Sequence, residues 1–222
     1  MKKNSYKGLI SLILSTIIVL SMVFSLSSCG EKDREYDEAE VLSAAEILIK
    51  NSEKLNDIYW GEGIIYSPDL SQANGSYYAA DPESLLLFGV NTVEDIKNLT
   101  RLTFTKAYAD NAINTTFSSI SDEDGIKIYS RYYQKYSVSD ASLPECIMVN
   151  KNAEFFLKDK CEYDYSTLAI DHVKGQSIFV KISVKVTDQD GNSRDTLAVV
   201  ELIEEQDGFR INSPTYKRYK EI

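Results

Sequence analysis

Hydrophobic positions along this chain change their rhythm several times. Lys2, Lys3 and Lys7 precede an apolar run from Gly8 to Leu26, broken only by small hydroxylated residues. From Glu31 to Glu40 the chain is mostly charged and has no apolar period, which reads as a solvated tether. Val41, Ala45, Leu48, Ser52, Leu55 and Tyr59 then recur at alternating steps of four and three, with Leu42, Ile49 and Ile58 beside them. That spacing predicts an amphipathic helix of about five turns, ended by Tyr59-Trp60-Gly61-Glu62-Gly63. Ile64 to Val90 is less regular, with turn signals at Ser67-Pro68-Asp69, Asn74-Gly75 and Asp81-Pro82. Thr92-Val93-Glu94-Asp95 has the form of a capping box, and predicts a second helix running to about Asn111.

Beyond Asp124-Gly125 the period shortens to that of strands. Ile126 to Tyr136 reads as a strand and loop, and Glu145 to Asn150 is expected to pair with Glu154 to Leu157 around Asn150-Lys151-Asn152. Tyr163 to Val173, Ile178 to Thr187, Thr196 to Glu204 and Phe209 to Ile211 complete an antiparallel meander. A two-residue turn at Asp190-Gly191 sets Lys185 opposite Thr196. In that register Ile178, Val180, Ile182, Val184 and Val186 share the helix-facing side with Leu197, Val199 and Ile203, and with Glu201. Phe179, Val200 and Leu202 then gather on the outer face as a candidate partner surface. A three-residue Gln206-Asp207-Gly208 loop with a bulge brings Phe209 and Ile211 to the core side.

Composition narrows the function. The first 28 residues hold three of the 24 basic residues and none of the 34 acidic ones, so the net charge of −10 becomes −13 without them. Nucleic acid and anionic surfaces repel such a chain. Of the three cysteines, Cys146 and Cys161 are a candidate disulfide, and closing that loop would stabilise by about 3 kcal/mol. With His172 as the single histidine, the usual Cys/His zinc clusters are excluded; no metal or cofactor is expected. Asp171 and His172 are adjacent on a strand and should point to opposite faces, which denies His172 an orienting carboxylate. No catalytic residue is assigned. The competing reading is a cone with a tyrosine-lined pocket around Tyr59, Trp60 and Tyr78, with Glu201 as acid or base.

Leu26-Ser27-Ser28-Cys29 closes the apolar run and resembles the lipobox of bacterial lipoproteins. The resemblance implies a signal peptide over residues 1–28, lipidation of Cys29, and a location on the extracytoplasmic face of the cell membrane. Acyl chains add about 0.8 kcal/mol per buried CH₂, which anchors a protein without a spanning helix. Residues 29–40 are then the lipidated cysteine and tether, and 41–222 a single α+β domain. Its order of elements, helices packed on one face of a curved antiparallel sheet, resembles nuclear-transport-factor-2-like and cystatin-like cone folds. The closing Gly208-Phe209-Arg210-Ile211-Asn212-Ser213-Pro214 segment adds to that likeness. A narrower likeness, carried by Tyr59-Trp60 and by Asp95-Ile96 through Phe104-Thr105, is to secreted inhibitors of cell-wall DL-endopeptidases. The resemblances imply a non-catalytic domain that binds an exported protein, such as a peptidoglycan hydrolase, or an envelope ligand.

Overall fold

A computed structural model describes residues 35–69, 75–117, 120–121, 127–128, 131–135, 146–153, 159–212, 215 and 219–221. The chain is an α+β domain of helices and antiparallel sheets. Helix α1 spans Glu38–Trp60 and begins earlier than its apolar stripe, because the Asp37 side chain accepts from the amides of Ala39 and Glu40. The first charged turn therefore belongs to the helix and not to the tether. Val41, Ala45, Leu48, Ile49, Ser52, Leu55, Ile58 and Tyr59 are buried, as the stripe predicts. On that inner face Ser52 and Asn56 meet the hydroxyl of Thr215, at 3.0 and 2.7 Å, so a residue far along the chain is fixed to α1.

The expected second helix is divided. Helix α3 (Val93–Thr103) has the capping box at Thr92 and Asp95, but Phe104 leaves the helix to form a parallel bridge with Ile211. Thr105 N–H donates to the Ile211 carbonyl at 2.9 Å, and helix α4 (Lys106–Phe117) starts afresh. Between α1 and α3 lies a short helix that the irregular pattern concealed, α2 (Pro82–Phe88).

A smaller sheet has the order β1-β5-β4, with β1 Tyr77–Ala79, β4 Tyr132–Lys135 and β5 Cys146–Asn150. Strand β5 pairs with β1 and β4; the Glu154–Leu157 strand expected beside it lies outside the described residues. Strands β2 (Ile120–Ser121) and β3 (Lys127–Ile128) pair with each other. The larger sheet contains β6 (Lys160–Lys174), β7 (Ser177–Thr187) and β8 (Ser193–Glu205), with β9 (Gly208–Ile211) and β10 (Tyr219–Glu221) both paired to β8.

Register in this sheet corrects the expectation. Val184, not Lys185, faces Thr196. The Asp188 carboxylate accepts from the amides of Asp190 and Asn192 at 3.0 and 2.9 Å, while Gly191 takes φ +84°. Strand pairing stops at Thr187 and Ser193, so the loop is longer and its centre moves by half a residue. A one-residue change in register turns a whole strand over. Ala198, Val200 and Leu202 thus join Ile178, Val180, Ile182, Val184 and Val186 in the core, while Leu197, Val199, Glu201 and Ile203 turn outward, half-buried. The β8–β9 turn is also one residue shorter than expected, with Glu205 facing Gly208. Phe209 and Ile211 still reach the core, because the second change reverses the effect of the first.

The helices are fixed to these sheets by polar side chains at their ends. The Arg131 guanidinium donates to the carbonyls of Gly61 and Glu62, both at 2.6 Å, just past the negative end of α1. The neighbouring Tyr132 hydroxyl donates to the Ile58 carbonyl at 3.1 Å and accepts from Ile64 N–H at 3.2 Å. Burial pushes the Tyr132 hydroxyl up to about 12 and holds the Arg131 guanidinium below its ordinary range. Midway along α1, Tyr165 donates to the Glu53 carboxylate, whose pKa is raised by desolvation. Tyr165 comes from an irregular stretch of β6, where pairing with β7 shifts between Asp164 and Ala169. The inner-face alternation of Cys161 and Tyr163, opposite Val186 and Val184, continues to Tyr165 and turns its side chain toward the helix.

Candidate functional site

The residues proposed for a pocket are not gathered in one place. Tyr59 is 4% exposed within the core, bonded to Thr100 and set edge-on to Phe117. Burial raises its pKa far above that of an ordinary tyrosine. Trp60 adjoins it, with ring centroids 6.1 Å apart. Tyr78 belongs to β1 and pairs with the Tyr66 ring at 5.3 Å. Glu201 lies in the other sheet on its outer face, opposite Phe179; its two oxygens accept from Ser177 Oγ at 2.7 Å and Asn212 Nδ2 at 3.1 Å. These bonds tie three segments together and occupy the carboxylate, a structural use of the group. An open depression of about 670 Å³ does occur on the larger sheet, lined by residues that include Glu162, Asp164, Lys185 and Asp195. None of the four pocket candidates lines it.

The partner face proposed from the sequence is likewise dispersed. Val200 and Leu202 are 1% and 0% exposed, because the register places them beneath the helices. Phe179 remains outward and stacks on His172, with centroids 4.3 Å apart and planes 7° from parallel. His172 does meet Asp171, at 2.9 Å, contrary to the alternation argument. A register shift between Ile170 and His172 breaks the alternation locally, allowing neighbours to turn to the same side. Hydrogen bonding from His172, then from Lys181, holds the Asp171 carboxyl below its ordinary range. Phe179 covers a face of the imidazole, so the pair is built as an exposed cross-strand contact.

Cys146 and Cys161 are both thiols, so the candidate disulfide is not formed. Cys146 is in β5 of the smaller sheet, opposite Lys135, and Cys161 in β6 of the larger, opposite Val186. Burial raises the Cys146 thiol pKa, leaving less thiolate for exchange. Cys29 lies outside the described residues. Among the described residues no group of three or more histidine, cysteine and acidic side chains is placed to hold a metal ion. No described helix is long and apolar enough to cross a membrane.

What the sequence reading missed stands on α2. The Asp81 carboxylate accepts from Ser84 N–H at 2.9 Å, Pro82 opens the helix, and Gly89 closes it at φ +69°. Proline at the start and glycine past the end are the signature of a deliberately delimited helix. Ser84 and Phe88 turn inward, and Ser84 Oγ accepts from Ile65 N–H at 3.2 Å. Adjacent to this fixed base, Leu86 is 82% exposed and Leu87 76% exposed. Ile65 and Tyr66, exposed at 46% and 42%, run beside the start of the helix. Asp81 N–H donates to the Ile65 carbonyl, and Tyr66 bridges Ala80. Two leucines held almost wholly in water on a rigid two-turn helix form a projecting apolar knob. Asp81-Pro82 with Gly89 marked the helix in the sequence, but seven residues are too few for a period to show.

No protein-family profile, curated protein or solved structure matches this chain.

Proposed function

We propose that this chain is a bacterial lipoprotein, held on the extracytoplasmic face of the cell membrane by lipid on Cys29, whose domain binds an exported protein without catalysing a reaction. The α2 knob carries the binding part of this reading. Isolated exposed leucines are ordinary, but two adjacent leucines on a capped helix, with Ile65 and Tyr66 exposed beside its start, make an apolar projection, and exposed apolar patches mark interaction sites. Anchoring rests on the basic start, the apolar run and Leu26-Ser27-Ser28-Cys29. The antiparallel sheet with α1 across it is compatible with a cone-type, cystatin-like or nuclear-transport-factor-2-like architecture, which we adopt as the finer description of the fold. Inhibition of a peptidoglycan hydrolase is the most concrete form of this function: a projecting knob is shaped to enter a cleft, and a hydrolase of polymeric substrate has one.

Affinity capture tests the reading. Residues 31–222, which include all the described elements, serve as bait in an envelope extract of the producing organism, beside a Leu86→Asp/Leu87→Asp variant of equal thermal stability. An exported protein is expected at stoichiometric yield with the wild-type bait and at least about tenfold less with the variant. Equal recovery by both baits would remove the knob from the function.

A further inference from the structure

The chemistry around the knob specifies what can cover it. Between Lys54 and Lys97 the chain contains no lysine or arginine, while acids recur from Asp57 to Asp95. Glu83, exposed on α2 itself, is three and four residues before Leu86 and Leu87, the spacing that makes helix neighbours. Asp81 caps the helix, and the Arg131 guanidinium is held away on the Gly61 and Glu62 carbonyls past the end of α1. Lys151 approaches from the far side of the patch, but its ammonium lies over the Tyr78 ring, 5.2 Å from the centroid, and donates to the Tyr78 hydroxyl at 3.2 Å. The knob is therefore apolar at its tip and acidic at its base.

We propose, resting on the reading of the knob as a protein-binding site, that its occupant is an apolar protein surface bordered by lysine or arginine side chains. Burial of Leu86 and Leu87 supplies the contact, and the cationic border meets Glu83 and its neighbours, which governs orientation and encounter. A second copy of this chain fits poorly, because a two-fold contact through the knob sets Glu83 near its own equivalent. An anionic bilayer fits poorly for the same reason, since its surface potential repels the acidic base.

A short amphipathic helical peptide made only of leucine and lysine is the probe, with a leucine–glutamate peptide of the same pattern as its counterpart. Binding to residues 31–222 is measured by calorimetry at low and high salt. The lysine peptide is expected to bind at least about tenfold more tightly than the glutamate peptide, and to weaken with salt. Leu86→Asp/Leu87→Asp should weaken it at least about tenfold although it makes the protein more acidic, and Glu83→Lys should weaken it while leaving the leucines in place.

If the aspartate variant binds the lysine peptide as well or better, the attraction is diffuse charge and the inference fails. If both peptides bind equally and both are lost with the aspartate variant, the knob remains a docking site, the cationic border is wrong, and the proposed function survives without it. Uptake of the wild type but not the variant by phosphatidylcholine vesicles would assign the knob to a bilayer. A wild-type dimer in sedimentation that the variant dissociates would assign it to a second copy. Either result overturns the inference.

Discussion

Gly63→Ala is expected to destabilise the domain by about 3 kcal/mol, from a positive-φ backbone that costs about 1 kcal/mol or more and an overpacked contact of similar or greater size. Gly63 sits at φ +61° immediately after α1. A Cβ there would lie 2.6 Å from the Tyr132 hydroxyl, 2.9 Å from the Asp57 carbonyl and 3.0 Å from the Ile58 Cα. Two of those atoms belong to the helix backbone and cannot move aside as a side-chain tip would. The third is the hydroxyl that satisfies both Ile58 C=O and Ile64 N–H, so displacing it strands buried polar groups. Urea unfolding measures the loss as a lower midpoint at unchanged slope. A shift below about 1 kcal/mol would mean that the junction of α1 with the smaller sheet is looser than described.

Val200→Asp should have a larger effect, a loss of more than about 4 kcal/mol, because an unpaired carboxylate would be placed at a position 1% exposed. Single domains have only about 5–15 kcal/mol to lose, so the variant is expected to be largely unfolded by circular dichroism. Val199→Asp is the control. Val199 faces outward and is only half-buried, so this change should leave a cooperative transition. The pair of variants discriminates the two registers directly: a folded Val200→Asp beside an unfolded Val199→Asp would restore the register with Lys185 opposite Thr196.

That comparison also shows which parts of the fold were legible in the sequence. On β7 Ile178, Val180, Ile182, Val184 and Val186 hold one parity and Lys181, Ser183 and Lys185 share the other with Phe179, so its core face follows from the pleat. On β8 both parities are apolar, Leu197 and Val199 against Ala198 and Val200, and the face was decided by the turn. The turn in its turn depended on Asp188, whose side chain draws in the amides of Asp190 and Asn192 and lengthens the loop. Local pattern could not reveal that bond. Helix α1 was readable because its stripe runs for many turns. The break at Phe104 was not, since it follows from pairing with Ile211, more than a hundred residues away.

The candidate site was legible in a different sense. Its caps, Asp81-Pro82 and Gly89, are explicit in the sequence, but Leu85, Leu86 and Leu87 together look like core. Only the three-dimensional arrangement separates the partly buried Leu85 from its exposed neighbours. The pocket candidates failed for the converse reason: Tyr59 and Glu201 suit a cavity by residue type, yet one bonds Thr100 inside the core and the other bonds Ser177 and Asn212 on the outer face of the larger sheet.

The most direct measurement is photo-crosslinking in intact cells of the producing organism, with benzoylphenylalanine replacing Leu87 in the full chain and, in a parallel strain, replacing the exposed Lys174 at the end of β6. A discrete adduct with an exported protein is expected from position 87 and none from position 174. Adducts of the same kind from both positions, or none from position 87, would contradict the claim that α2 is where this protein meets its partner.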